Sequence, residues 1–105
     1  MAYWILAKYT RPNTDVAWFS PSADVIDKVN EYKDSDPAKI THYEVKESDD
    51  GLKQYIKLGF VDQAESLNFL AESEIQDNEN ARALYLSGTT VSGSVEDFED
   101  KEPTI

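Results

Sequence analysis

The sequence predicts an α+β domain in which two helices cover one face of a four-stranded antiparallel sheet. Strand-like runs and two stretches of helical periodicity follow one another in the order βαββαβ. The dipeptide Asp50-Gly51 joins the two central runs as a hairpin turn. The chain has 105 residues, which is the size of one domain with one core.

The first strand and the first helix are predicted from apolar pattern and cap residues. Residues 2–9, AYWILAKY, are apolar on both faces of a strand, which is typical of a central strand. Ser20 is expected to cap the first helix, with Pro21 in its first turn. The apolar stripe of that helix is Val25, Ile26, Val29 and Tyr32, and DSDP at 34–37 ends it.

The central hairpin spans Thr41 to Phe60, and its charges favour one register. A two-residue turn at Asp50-Gly51 places Glu44 opposite Lys57, an attractive pair. The same register places Val45 opposite Ile56 and Tyr43 opposite Leu58. A four-residue turn over 48–51 would place two lysines, at 46 and 53, opposite each other, so we expect the tighter register.

The second half of the chain predicts one more helix and one more strand. Asp62 followed by Glu65 forms an acidic capping box before an apolar stripe. The stripe consists of Ala64, Leu67, Leu70, Ala71 and Ile75. QDNEN at 76–80 is predicted to be a loop, and residues 81–87, ARALYLS, are predicted to be the last strand. We therefore expect a domain over 1–91 and an acidic, mobile tail over 92–105.

This element order is that of a ferredoxin-like sandwich, with the first and third strands in the centre of the sheet. Helices then cover one face and leave the other bare. Hairpin parity assigns His42, Glu44, Lys46, Tyr55, Lys57, Gly59 and Val61 to the bare face. The first strand adds either Trp4 and Leu6 or Tyr3, Ile5 and Ala7, and both sets form an apolar patch. We expect a homodimer through this face, because a symmetric partner sheet would cover it.

The chain resembles the dimeric α+β barrel superfamily, which includes proteins of the antibiotic-biosynthesis-monooxygenase type. The likeness covers residues 2–88 and lies in YWILAKY, in the hairpin THYEVKESDDGLKQYIKLGF and in FVDQAESLNFLAES. It implies two subunits paired sheet to sheet. It also implies, for some members, a cavity between sheet and helices that handles a planar aromatic or a haem.

Composition excludes several classes of function. The chain has no cysteine, which excludes disulfides, thiolate metal sites and cysteine nucleophiles. Ten basic and 21 acidic residues give a net charge of −11, which disfavours direct binding to nucleic acid or to an anionic membrane. The apolar run at the N-terminus is too short for a signal peptide or a membrane span, so we expect a cytoplasmic protein.

Few residues are candidates for a site. His42, the only histidine, is a candidate general base or partner contact on the bare sheet face. Trp4, Trp18, Tyr43 and Tyr55 are candidates for stacking on an aromatic ligand. No metal motif is present, since ESDDG lacks the spacing of a calcium loop, and no cofactor is expected.

The segment RPNTDVAWFSP is a candidate loop at the mouth of a cavity. It carries Arg11, Asp15 and Trp18, and a loop of this kind often supplies a binding residue. An Arg and an Asp four residues apart also form ordinary solvated pairs.

Three functions remain open from the sequence. The first is a small dimeric accessory or binding protein with an aromatic ligand between sheet and helices. The second is a cofactor-independent or haem-handling monooxygenase, as the resemblance implies; catalysis itself is left undecided. The third is an acidic interaction protein, such as a phage-encoded DNA mimic, that sequesters a basic partner through Asp24, Asp27, Glu31 and Asp34.

Overall fold

Four antiparallel strands form one sheet in the order β2-β3-β1-β4, and three helices lie on one of its faces. The computed structural model describes all residues, 1–105. The elements are β1 (Tyr3–Thr10), α1 (Ala23–Asp34), β2 (Ile40–Glu47), β3 (Lys53–Phe60), α2 (Gln63–Ala71), α3 (Ser73–Gly88) and β4 (Ser92–Glu99). The predicted α+β, ferredoxin-like class and the central position of the first and third strands are confirmed, with a third helix added.

Strand β1 lies in the centre of the sheet, which explains why it is apolar on both faces. Tyr3 and Ile5 belong to the main core, together with side chains from the helices. Trp4 and Leu6 point to the other side of the sheet, as alternation requires. We call this side, which carries no helix, the open face. The structure thereby assigns Trp4 and Leu6 of β1 to the open face.

The hairpin has the predicted register on a different turn. Tyr43 pairs with Leu58, and Glu44 pairs with Lys57, as charge complementarity predicted. The connection, however, is a loop of residues 49–52, closed by the bond from the Ser48 N–H to the Lys53 carbonyl at 2.9 Å. Within this loop only the glycine at 51 has a positive φ, 73°, so the predicted two-residue turn is wrong although its register is right.

Helix α1 begins at Ala23, two residues after the predicted start, with Ser22 rather than Ser20 at the N-cap position. It ends at Asp34 as predicted. Its buried residues are Val25, Val29 and Tyr32, three of the four in the predicted stripe. The fourth, Ile26, is 36% exposed.

Helix α2 has the predicted N-cap and a different buried face. Asp62 Oδ1 accepts a hydrogen bond from the Glu65 N–H at 2.9 Å. The residues buried in α2 are Ser66 and Phe69, whereas Leu67 of the predicted stripe is 59% exposed. Phe69 packs edge-on against Tyr32 of α1 and so joins the two helices.

The predicted last strand at 81–87 is wrong, because this segment forms the second half of helix α3. The predicted loop at 76–80 lies within the same helix. Ala, Arg and Leu are strong helix formers, and their local preference agrees with the outcome. The helix lines the space above the sheet through Ile75, Asn78, Glu79 and Arg82, which have helical spacing but are mostly polar.

The predicted boundary between a domain over 1–91 and a mobile tail over 92–105 is also wrong. Residues 92–99 form β4, which pairs with β1 along its whole length, from Tyr3 opposite Glu99 to Thr10 opposite Ser92. Strand β4 is an edge strand, where charged side chains remain solvated and discourage further strand pairing. Its acidic composition is therefore compatible with the sheet.

Two clusters of buried apolar side chains lie between the sheet and the helices. The main cluster centres on Phe60, which is fully buried and packs on Phe69. The second contains Ala7, Tyr9 and Val91 and lies at the other end of β1. No helix combines the length and the apolar composition needed to cross a membrane.

Candidate functional site

A cavity of about 290 Å³ lies between the helix-covered face of the sheet and the helices. Its walls are mainly apolar. The sheet contributes Ile5, Ala7, Tyr43, Ile56 and Leu58, and the helices contribute Val25, Val29, Phe69, Leu70 and Ile75. This volume is close to the lower end of ligand pockets, about 300 Å³. The cavity therefore has room for a small planar molecule.

The loop before α1 supplies an aromatic wall through Trp18, followed by Phe19 and Pro21. The Trp18 indole N–H lies 3.3 Å from Glu47 Oε1, at the end of β2. The Phe19 ring packs against Tyr85 of α3, with ring centroids 5.7 Å apart. These contacts attach the loop both to the hairpin and to the last helix.

Arg11 holds this loop in place. Its Nε donates to the Gly51 carbonyl at 2.7 Å, and Nη1 donates to the Val16 carbonyl at 2.8 Å. Nη2 forms an ion pair with Glu47 Oε1 at 2.9 Å. The guanidinium also lies 4.4 Å from the centroid of the Trp18 ring, a cation–π contact. Arg11 is thus a positioning residue for Trp18.

The proximity of Arg11 and Asp15 in sequence does not produce an ion pair. Glu47 is the partner of Arg11, and Asp15 is exposed. The predicted place of the loop at the cavity is nonetheless supported by Trp18, which lines it.

The part of the cavity lining that α3 supplies is mainly polar and includes Arg82. Its guanidinium donates to the hydroxyl of Tyr9 and pairs with Glu79, one turn earlier. The Nε–H of Arg82 is the single buried side-chain nitrogen or oxygen without a hydrogen-bond partner. A buried donor without a partner is costly, so an oxygen atom of a ligand would stabilise this part of the cavity.

Tyr43 brings a second polar group to the apolar walls. Its ring lines the cavity from β2, and burial raises the pKa of its hydroxyl. Like any tyrosine hydroxyl, it is protonated at neutral pH and is able to donate a hydrogen bond.

The structure divides the residues predicted to bind a ligand between the two faces of the sheet. Trp18 and Tyr43 line the cavity. Trp4 lies on the open face, where its ring covers Gly59 of β3. Tyr55 also belongs to this face, since it alternates with Ile56 and Leu58. The four aromatic residues do not form one site.

His42 lies on the open face, opposite Gly59, as parity predicted. Its Nε2 is 3.0 Å from Glu44 Oε1, and its ring centroid is 5.7 Å from that of Trp4. The sheet separates His42 from the cavity, whose lining contains no histidine. His42 is therefore not positioned to act as a base on a molecule held there.

The cavity does not fit a haem bound through histidine, because the one imidazole of the chain lies on the opposite face. No three His, Asp or Glu side chains converge in a metal-binding arrangement either. The lining combines apolar walls with a few hydrogen-bonding groups, among them Arg82, Tyr43 and Asp97.

The sequence matches no protein-family model and no curated protein. Several solved structures share its fold. Rv0793 from Mycobacterium tuberculosis superposes with a TM-score of 0.61 at 12% identity, over the full length of both chains. A single-residue variant of SnoaB, a cofactor-independent oxygenase from Streptomyces nogalater, gives 0.60 at 10% identity, with 97% of this chain and 95% of the other covered.

A third structure comes from Deinococcus radiodurans, a protein proposed to be an antibiotic biosynthesis monooxygenase. It gives a TM-score of 0.59 at 13% identity, over 98% of this chain and 96% of that chain. The fold that the resemblance implies is thus confirmed. Identities this low establish the fold and not an activity.

Proposed function

We propose that this protein is a small binding protein that takes a planar aromatic ligand into the cavity between its sheet and its helices. The observation that carries the proposal is the combination of apolar walls with the unpartnered donor of Arg82. Ligand sites typically have this composition, in which the walls supply affinity and a few polar groups fix orientation.

The bound ligand would contact three groups. Its ring would pack between the walls, with Trp18 and Tyr43 as aromatic neighbours. An oxygen on its edge would accept the unpartnered N–H of Arg82. Glu79 already balances the charge of this guanidinium, which favours a neutral phenol or quinone over a carboxylate.

We also propose that two copies pair through their open faces. This face carries Trp4, His42 and Phe98, all partly exposed, and it has no helix to cover it. An apolar patch in the middle of a sheet favours a protein partner, and a symmetric copy presents the complementary patch.

A pair of matched variants tests ligand binding. Ala7 is 6% exposed and lines the cavity, so Ala7→Leu places extra carbon atoms in the ligand's space. Ala81→Leu makes the same change on the exposed side of α3. We expect calorimetric titration with β-naphthol to show binding that Ala7→Leu weakens at least about tenfold and Ala81→Leu leaves unchanged. Equal affinities in both variants would place the ligand elsewhere.

Oxygenation of the bound aromatic is a second candidate, favoured by the shared fold of SnoaB. It predicts oxygen uptake when the protein is saturated with an electron-rich hydroxylated aromatic in air. If the protein is saturated with this aromatic and no oxygen is consumed, the result would contradict catalysis and support binding alone.

A further inference from the structure

After β4 the chain turns back onto the open face. Asp100 has a positive φ of 58°, which is uncommon for a residue other than glycine and which Asp tolerates better than most. Its N–H donates to the Ala2 carbonyl at 2.8 Å, next to the start of β1. This reversal directs residues 101–105, which we call the C-terminal segment, across the sheet.

Lys57 of β3 anchors the C-terminal segment. Its Nζ lies 2.8 Å from Glu102 Oε2 and donates to the Pro103 carbonyl at 3.2 Å. Glu44 Oε1 on β2 is farther away, at 3.9 Å. Lys57 is only 6% exposed, although its side of the sheet has no helix. A buried ammonium requires partners, and the segment supplies the nearest two.

The surface next to Lys57 is apolar and buried. Leu6 is the direct neighbour of Lys57 in the sheet register, and it is 2% exposed. Leu6 belongs to neither cluster of buried side chains on the helix side. Pro103 is itself buried. The C-terminal segment therefore lies over Lys57, beside Leu6, in the position that a second sheet would occupy in a dimer.

We propose that the C-terminal segment is an intramolecular cover that competes with a second copy of the chain for the open face. This inference rests on the homodimer proposed above and adds its regulation. Sheet-to-sheet pairing then requires the Lys57–Glu102 contact to open, so the strength of this contact sets the concentration at which the chain dimerises.

The Lys57–Glu102 contact is able to open because only one of its two side chains is buried. The Glu102 side chain is 57% exposed, whereas that of Lys57 is 7% exposed. Water and salt therefore screen the pair from the segment's side. The C-terminal segment contacts Lys57 through Glu102 and Pro103, whereas a partner copy would bring a whole sheet face.

Sedimentation equilibrium of the full chain and three variants tests the competition. Truncation after Asp100 removes the cover, and Glu102→Ala removes its charged anchor while leaving Pro103 in place. Glu99→Ala is the matched control, because it removes the same charge from an exposed residue of β4 that is not paired with Lys57. If the truncated chain does not fold, the comparison of Glu102→Ala with Glu99→Ala still tests the competition.

We expect the dimer dissociation constant to fall about tenfold or more on truncation, and severalfold in Glu102→Ala relative to Glu99→Ala. A dimer with the same constant in Glu102→Ala and Glu99→Ala would refute the cover and leave the homodimer intact. The absence of a dimer in all variants, truncation included, would refute the homodimer and the competition together.

Discussion

Replacing Gly59 by Ala tests the packing of the open face, and the size of the effect follows from one distance. A methyl group at this position would lie 2.6 Å from Cζ3 of Trp4 and 3.0 Å from its Cε3 and Cη2. Non-bonded carbon atoms prefer about 3.5–4.0 Å, so the indole must move by about 1 Å. Overpacking of this kind costs about 1–3 kcal/mol.

Thermal unfolding followed by circular dichroism measures this cost. For a domain of this size, each kcal/mol lowers the melting temperature by about 4–8 °C. Gly88→Ala is the matched control, because no atom lies within 4 Å of the added methyl group and the residue ends α3. We expect this control to leave stability unchanged or slightly raised, since Ala is the better helix former.

A double-mutant cycle separates the clash from other effects of the substitution. In a Trp4→Leu background the indole is gone, so Gly59→Ala is expected to be neutral or to stabilise by up to about 1 kcal/mol through reduced chain entropy. An equal loss in both backgrounds would mean that Trp4 does not lie over Gly59.

Three further predictions follow from the core and the loop. Burial, assisted by a neighbouring carboxylate, raises the pKa of Tyr32 from 10.0 to about 12, so its contribution to stability is complete below pH 10 and is lost as the pH rises through 12. Urea unfolding should show this alkaline loss, and Tyr32→Phe should reduce it. Arg11→Met removes hydrogen bonds to two backbone carbonyls and the contact with Trp18. We expect the free energy of unfolding to fall by about 2–3 kcal/mol and β-naphthol to bind more weakly. Unchanged affinity would contradict the role of Arg11 in positioning Trp18. Phe60→Ala empties a fully buried position and should cost about 3–5 kcal/mol by urea unfolding, whereas Leu67→Ala, at a residue 59% exposed, should cost far less; similar losses would mean that the core is placed wrongly.

The register of the hairpin could be predicted from the sequence because two independent signals agree there. Side-chain alternation separates Tyr43 from His42, and the attraction between Glu44 and Lys57 selects one register. The register survives a change from a two-residue to a four-residue loop, since Ser48 and Lys53 continue the same pairing.

Helix α3 was missed because the part of it that lines the cavity is mainly polar. Asn78, Glu79 and Arg82 face the cavity at helical spacing, where a helix of this length usually places apolar residues. The apolar residues Leu84 and Leu86 alternate with Tyr85 and Ala83 and so imitated a strand. The failed prediction and the polar part of the cavity lining therefore have the same cause, which agrees with a functional role for these residues.

Strand β4 and the C-terminal segment were missed because their composition is that of a solvated tail. Only tertiary contacts show their place: pairing with β1 for the strand, and the Lys57–Glu102 ion pair for the segment. No local pattern in the sequence predicts that Glu102 pairs with Lys57, which lies forty-five residues earlier in the chain.

Mapping a bound aromatic by NMR tests the central claim most directly, because the sheet separates the two candidate faces. We predict that β-naphthol shifts the resonances of Trp18, Tyr43 and Leu58, which line the cavity, and leaves those of Trp4 and Tyr55 in place. Shifts confined to Trp4 and Tyr55 would show that the aromatic binds the open face, and would contradict a ligand site between sheet and helices.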